Sequence, residues 1–97
     1  MPSRINMLLK YSSRFKKDLK AYKHDKPVLN DLEEVLDLLL EGKSLPAKNR
    51  NHRLSGEFSD CFECHIRPDV ILIYKYHENI LHILLLRIGS HSRIFGK

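Results

Sequence analysis

An arginine and a histidine lie four residues apart in the most informative segment of the chain. Arg87 and His91 enclose Gly89 and precede Phe95. They follow a run from Ile80 to Leu86 that is apolar except for His82. Arginine stays charged and suits a phosphate group, whereas histidine can transfer a proton near neutral pH. A buried strand would hold both side chains rigidly at its end. The segment therefore predicts a site for phosphate chemistry.

Two histidines and an aspartate further upstream could complete such a site. They are His52, His65 and Asp69. Side chains alternate between the two faces of a strand, so the predicted strand over residues 61–67 places Glu63 on the same face as His65. A single strand histidine is most often a structural residue held by hydrogen bonds. Several histidines with an arginine and an aspartate at strand ends favour chemistry instead.

The composition describes a small, basic, globular domain. The 97 residues include 17 Lys and Arg against 12 Asp and Glu, which gives a formal net charge of +5. Such a balance favours a polyanionic partner, with nucleic acid first. No apolar stretch reaches membrane-spanning length, and charges interrupt the N-terminus after Ser3. We therefore expect a cytoplasmic protein that does not contact a membrane.

The predicted elements run in the order strand, helix, helix and then strands. Helix one is capped by Ser12 or Ser13, and helix two begins near Pro27 and ends at Gly42. A basic loop from Leu45 to Arg53 follows. The predicted strands are Asn6–Tyr11, Leu54–Phe58, Cys61–Arg67, Val70–Tyr76 and Ile80–Ile88.

The two predicted helices differ in charge and are expected to pack together. Helix one is basic and helix two is acidic, so an antiparallel two-helix hairpin is favoured. The last two strands are almost entirely apolar, which suits central strands covered by helices. The sequence thus predicts one α+β domain over residues 1–97, with the helix pair on one face of a mostly antiparallel four- to five-stranded sheet.

Residues 61–65 match C-x-x-C-H, the attachment pattern of c-type haem. Residues three apart on a strand point to opposite faces, so Cys61 and Cys64 would diverge. The same geometry argues against a zinc site, and the chain has no second C-x-x-C. We therefore expect two free strand thiols that bind neither haem nor zinc.

Four motifs in a fixed order indicate a family. They are the opening strand with Tyr11-Ser12 and then Lys17-Asp18; residues 51–56, similar to D-H-x-L-x-G; residues 64–74, similar to H-x-x-P-D-x-x-L-x-Y; and residues 86–92 with Phe95, similar to an R-x-G-[ST]-H ending. Over nearly its whole length the chain resembles the YafQ branch of the RelE/ParE superfamily, the toxins of type II toxin–antitoxin pairs.

That resemblance implies a RelE-like fold and an mRNA endonuclease that acts mostly in the ribosomal A site. It also implies an inhibitory antitoxin as partner, and operator DNA as a partner of the toxin–antitoxin complex. Matched by position, the family's active-site residues correspond to His52, His65, Asp69, Arg87, His91 and Phe95. We add Glu63, Lys48, Arg50 and Arg53 to Phe95 as expected substrate-binding residues.

The expected mechanism follows from the residue types. RNA supplies its own nucleophile, the 2′-OH, so we expect neither a metal nor another cofactor. The enzyme needs a base, an acid and positive charge for the phosphorane. We expect Arg87 at the phosphorane and His91 as the acid, with either His65 or His52 as the base. Asp69 is expected to orient a histidine.

Phe95 is expected to stack on a base of splayed RNA. Two departures from the family pattern concern base stacking and the orientation of a histidine. Some family members have tryptophan where this chain has Val70, which would change stacking or codon preference. Asn51 replaces the family's frequent aspartate before His52, which would change how that imidazole is oriented.

Two other classes of protein compete with the nuclease. ParE-like toxins share the fold but block gyrase without cleaving RNA, and they generally lack the histidine set. A basic adaptor would bind RNA without cutting it. The histidines favour the nuclease over both.

Overall fold

The computed structural model describes residues 8–77 and 82–96. They form one five-stranded sheet with strand order β1-β5-β4-β3-β2, in which only the β1–β5 pair is parallel. The strands are β1 (Leu8–Tyr11), β2 (His52–Arg53), β3 (Phe62–Arg67), β4 (Val70–His77) and β5 (His82–Gly89). The helices are α1 (Ser13–Leu19), α2 (Lys26–Leu40) and α3 (His91–Phe95). The predicted α+β class and mostly antiparallel sheet are confirmed.

The core lies between the helices and one face of the sheet. Phe15 of α1 and Leu32 of α2 pack with Leu72, Tyr74 and Leu85 of the two central strands, and all five are buried. The apolar runs of β4 and β5 follow from this position, since a central strand under helices must be apolar on its covered face. In the part of the chain that the structure describes, no helix is long and apolar enough to cross a bilayer.

Helix α2 begins and ends where its local sequence requires. The Asp25 side chain accepts a hydrogen bond from the backbone N–H of Val28 at 3.3 Å, and Pro27 lies in the first turn. Gly42 follows the last turn with φ of +70°, a conformation that glycine adopts without the steric cost of a side chain. Between these two ends, every third or fourth residue of the helix faces the core, as the sequence predicts.

Helix α1 covers the edge of β5 that the short strand β1 leaves open. The backbone N–H of Ser12 donates to the carbonyl of Leu85 at 3.0 Å, and its hydroxyl donates to the carbonyl of Leu86 at 2.9 Å. The same hydroxyl caps α1 by accepting from the N–H of Phe15. One serine thus ties the start of α1 to the end of β5.

The predicted helix hairpin describes the structure only loosely. Helix α1 contacts mainly β5, whereas α2 contacts mainly β3. The two helices are joined through a 3₁₀ turn, Lys20–Tyr22, which also contacts α2. Each helix is therefore placed by the strand beneath it more than by opposite charge on its neighbour.

The predicted strand Leu54–Phe58 is wrong. The strand in this region is β2, two residues earlier, and Gly56–Phe58 is a 3₁₀ turn. Gly56 has φ of +73°, which is incompatible with an extended strand. Of the other predicted strands, Asn6 and Ile80 lie outside the described residues, and the basic loop contains a further 3₁₀ turn, Ala47–Asn49.

The two cysteines are free thiols in different surroundings. Cys64 belongs to the core cluster and is fully buried, whereas Cys61 precedes β3 and lies outside that cluster. Burial, with a smaller effect of the Glu63 carboxylate, raises the pKa of the Cys64 thiol from 9.0 to about 12. The folded protein therefore holds Cys64 as the neutral thiol.

We expect folding stability to fall at alkaline pH. A thiol whose pKa is raised in the folded state contributes fully below pH 9, and the contribution is lost as the pH rises from 9 to about 12, because the unfolded chain ionises first. The free energy of unfolding in urea should drop by up to about 1.4 kcal/mol per pH unit from this group. Cys64→Ala should flatten that slope, and an unchanged slope would contradict the assignment.

Candidate active site

A buried carboxylate forms the centre of the site. Glu63 lies on β3, on the face opposite the helices, and is only 4% exposed. Three imidazoles present Nε2 to its Oε2, at 3.1 Å for His91 and at 3.7 Å for both His52 and His65. A buried charge requires such partners, because an unpaired carboxylate in the interior is costly. We call these four residues the histidine cluster.

Strand register brings the cluster together. In the β2–β3 pair, His52 lies directly opposite Glu63. His65 is two residues further along β3 and therefore on the same face. His91 begins α3 immediately after β5, where the Ser90 hydroxyl caps the helix by accepting from the N–H of Arg93 at 3.1 Å. Three separate segments thus meet at one carboxylate oxygen.

The backbone next to His52 fixes its protonation pattern. The Nδ1 atom lies 2.9 Å from the carbonyl oxygen of Arg50. Because a carbonyl only accepts, Nδ1 carries a hydrogen. The neutral ring then has its lone pair at Nε2, and only the protonated ring can pair with Glu63 through Nε2. Arg50 has φ of +47°, an uncommon left-handed conformation for a residue with a side chain. That conformation aims its carbonyl at the imidazole.

The residues on either side of Arg50 anchor the same loop. Asn49 is buried, and its Nδ2 donates to the backbone carbonyl of His65 at 2.7 Å. Asn51 accepts a 2.7 Å hydrogen bond from the Tyr74 hydroxyl through its Oδ1. Asn51 therefore contacts Tyr74, and the Arg50 carbonyl is the group that holds the His52 imidazole. Sequence reasoning missed Asn49, which matches no motif.

A row of aromatic rings extends from the cluster. Phe95 stacks on His91, with ring centroids 5.8 Å apart and planes 25° apart. Phe58 meets Phe95 edge to face at 5.6 Å, and on the other side His91 lies 5.7 Å from His65. Phe95 is therefore beside the histidines, as predicted. Phe58 was not predicted, because it was assigned to a strand.

Arg87 lies on the same face but is held by a different carboxylate. Its Nε donates to Asp18 Oδ2 at 2.7 Å and its Nη2 to Oδ1 at 3.2 Å, while Oδ2 also accepts from the backbone N–H of Ile88 at 3.1 Å. In the described chain, Nη1 has no hydrogen-bond partner. Asp18 was missed as a site residue, although an acid in the last turn of a basic helix is an available signal, since that position is unfavourable for negative charge.

Two of the predicted residues, Asp69 and Arg53, lie away from the cluster. Asp69 is exposed in the β3–β4 turn and, among the described residues, makes no hydrogen bond or ion pair with a histidine. Burial and then the Asp69 carboxylate raise the pKa of Tyr22, which places Asp69 near that hydroxyl. Arg53 points to the opposite face, with its guanidinium 5.4 Å from the centroid of the Phe62 ring. Val70 is buried in the core.

Two of the imidazoles and the carboxylate could also bind a metal ion. One donor atom from each of Glu63, His65 and His91 lies within 4.8 Å of the others. Imidazole and carboxylate ligands suit Zn²⁺ or Cu²⁺. A small inward movement of these side chains would bring the three atoms to bonding distance.

The model of the family described as bacterial toxin of type II toxin–antitoxin system, YafQ, matches residues 7–96. The chain belongs to the YafQ toxin family. The mRNA interferase toxin YafQ of Escherichia coli K12 is 33% identical over 89 residues, which is 91% of this chain and 95% of that protein.

Solved structures of the family share the fold. The toxin in the E. coli DinJ-YafQ toxin–antitoxin complex has a TM-score of 0.81 and 31% identity, covering 95% of this chain and all of that one. A metal-bound toxin from Helicobacter pylori has a TM-score of 0.80 and 34% identity, covering 92% of this chain and 99% of that one.

The Asp18–Arg87 pair should be important for stability. Both side chains are largely buried, at 9% and 17% exposure, so removing one partner leaves an uncompensated charge. We expect Asp18→Ala to lower the free energy of unfolding by about 3 kcal/mol, measured in urea. Asp37→Ala, on the exposed face of α2, is the matched control and should change stability little. Equal effects from the two variants would contradict the role of the pair.

Proposed function

We propose that the chain is the toxin of a type II pair and cleaves mRNA by attack of the substrate's own 2′-OH, without a metal. The observation that carries this proposal is the convergence of three imidazoles on one buried carboxylate. Acid–base groups are what RNA cleavage of this kind requires, since the nucleophile is already in the substrate. The gyrase-blocking and adaptor alternatives give no reason for such a cluster.

His52 is the base in this proposal. Its Nδ1 hydrogen is committed to the Arg50 carbonyl, so Nε2 has the free lone pair of the neutral ring. The side chain is 51% exposed, which leaves it accessible to a substrate. His52 Nε2 takes the proton of the 2′-OH as the 2′-oxygen bonds to phosphorus.

His91 is the acid. Its Nε2 lies 3.1 Å from the Glu63 carboxylate, which can only accept, so Nε2 carries a hydrogen. In the protonated ring the second hydrogen is on Nδ1, and the side chain is 52% exposed. Nδ1 passes this proton to the 5′-oxygen as its bond to phosphorus breaks. The products are a 2′,3′-cyclic phosphate and a 5′-hydroxyl.

Two groups supply positive charge to the phosphorane. His65 is only 14% exposed and lies beside His91, so in this proposal its protonated ring places positive charge next to the reacting phosphate. Arg87 contributes through the Nη1 edge that Asp18 leaves unused. Glu63 orients the imidazoles and does not touch the RNA.

The proposed partners follow from the same surfaces. Phe95 and Phe58 offer ring faces on which a splayed base can stack, and the ribosomal A site presents single-stranded mRNA in the cytoplasm. The E. coli relative is found in complex with the antitoxin DinJ. We propose that a cognate antitoxin covers the histidine cluster, and that the toxin–antitoxin complex binds operator DNA.

His52→Ala and His91→Ala should each lower the cleavage rate at least about a hundredfold, because each removes a proton-transfer group. Cleavage of mRNA on purified ribosomes, followed by gel and by product end-group analysis, measures this. His24→Ala, an exposed residue between the helices, is the control and should cleave normally. An RNA with 2′-deoxyribose at the scissile nucleotide should bind but stay intact. Normal cleavage of that RNA would reject the mechanism.

A second proposal concerns inhibition by metal. The metal-bound H. pylori toxin shares the fold, and the donor atoms of Glu63, His65 and His91 are close enough to serve as ligands. Ligation requires imidazole nitrogens without hydrogen. A metal at this site would therefore displace the hydrogen that His91 Nε2 shares with Glu63 and hold the ring away from the substrate.

We expect Zn²⁺ to inhibit cleavage reversibly, with activity restored by EDTA. Calorimetry should show one bound ion per chain, and His65→Ala should weaken binding at least about tenfold, since even loss of an outer partner of a ligand has that effect. His52→Ala should bind Zn²⁺ normally, because His52 is not one of the three ligands. Unchanged Zn²⁺ affinity in His65→Ala would contradict this assignment.

A further inference from the structure

A groove of about 450 Å³ lies beside the histidine cluster. It runs between α2 and residues 46–50 and ends at residues 65–68, where β3 turns into β4. Strand β2 pairs only with the first two residues of β3, so the rest of that edge is not covered by a strand. The volume is in the range of pockets that hold small ligands.

The two walls of the groove carry opposite charge. On α2, Asp31, Glu34 and Leu38 are three and four residues apart and therefore share one face. On the other wall, Lys48 and Arg50 are exposed cations. Arg67 joins Asp31 at 2.7 Å, whereas Glu34, Lys48 and Arg50 have no ion-pair partner within residues 8–77 and 82–96. Between the walls the lining is apolar, from Val35, Pro46, Ile66 and Pro68.

Asn49 supplies an unused acceptor in this groove. The residue lines the groove and is only 5% exposed. Its Nδ2 donates to the carbonyl of His65, which fixes the orientation of the amide. Its Oδ1 accepts no hydrogen bond from the described residues. An acceptor in the groove wall that receives no hydrogen bond from these residues can accept one from a ligand.

The groove and the histidine cluster share one residue. His65 lines the groove and also presents Nε2 to Glu63. The loop that forms the basic wall holds His65 through Asn49 and His52 through Arg50. A strand of RNA with its scissile phosphate at the histidines would therefore place a neighbouring nucleotide in the groove.

We propose that the groove binds the nucleotide next to the scissile phosphate and selects a base with an exocyclic amino group. This inference rests on the proposed function. The phosphate lies against Lys48 and Arg50, and the face of the base lies on the apolar lining. The amino group donates to Asn49 Oδ1 and Glu34. Adenine, cytosine and guanine have such a donor, whereas uracil would turn a carbonyl oxygen toward these acceptors.

Nucleotide binding tests the groove separately from catalysis. The full chain is titrated with AMP, CMP and UMP and followed by NMR, with the Asn49 side-chain amide as reporter. AMP and CMP should shift that signal and bind at least about fivefold more tightly than UMP, as expected for one additional hydrogen bond. Equal affinity for the three nucleotides, or shifts confined to the histidine cluster, would overturn the proposal.

Two neighbouring glutamates provide a matched pair of variants. Glu34→Gln alters the groove wall and should reduce the preference for AMP over UMP by about threefold or more, because an uncharged amide is a weaker acceptor than a carboxylate. Glu33→Gln lies outside the groove lining and should bind all three nucleotides as the unaltered chain does. An equal effect from both variants would contradict a specific contact.

Cleavage of modified RNA extends the test to the substrate. Replacing adenosine next to the scissile phosphate by purine riboside removes only the amino group, and the cleavage rate should fall about fivefold. Unchanged cleavage would reject the groove while leaving the nuclease intact. Selective nucleotide binding in a protein that cleaves no RNA would reject the nuclease while the groove stands. Protection of the Asn49 signal by an antitoxin, with no response to nucleotides, would identify a protein-binding groove and overturn the proposal.

Discussion

The burial of one carboxylate constrains the arrangement of the whole site. Glu63 is almost inaccessible to water, and a charge in that position needs partners that compensate for lost hydration. The three imidazoles that surround it come from β2, from β3 and from the first residue of α3. The pairing of β2 with β3, the loop that supports His52, and the turn into α3 must all be correct before the carboxylate is satisfied. Fold and site therefore depend on one another.

A second carboxylate separates the arginine from the histidines. Asp18 takes two donors of Arg87 and one backbone N–H, so this cation is already largely neutralised before any substrate arrives. The prediction that Arg87 acts at the phosphorane therefore concerns the guanidinium edge that Asp18 leaves unused. In the proposed mechanism, protonated imidazole supplies the rest of the positive charge.

Part of this arrangement is readable from the sequence. Sequence patterns reflect properties of neighbouring residues. The apolar runs of β4 and β5 depend on such local properties, and so do the caps at Ser12, Asp25 and Gly42. Alternation along β3 correctly separates Glu63 and His65 from Cys64.

The sequence does not reveal which residues contact one another across the fold. Alternation gives the face of a side chain but not the residue opposite it, so the place of Glu63 among three histidines depends on the β2–β3 register. The sequence pattern predicts this strand at Leu54–Phe58 instead, because β2 is only two residues long and precedes Gly56. Asp69 was preferred as the orienting acid since it belongs to a motif. The Asp18–Arg87 contact joins residues 69 positions apart, and no local pattern encodes it.

The long sequence separation of these contacts has a consequence for how the protein becomes active. Ser12 and Leu86 are 74 residues apart, and parallel pairing of β1 with β5 joins the two ends of the described chain. Closing such long loops costs conformational entropy before any stabilising contact has formed. Folds dominated by distant pairings therefore form slowly. Because only Ser90 separates β5 from His91, the histidine cluster is complete only once this distant pairing has formed. A chain in which β5 has not yet paired therefore lacks His91 at the Glu63 carboxylate.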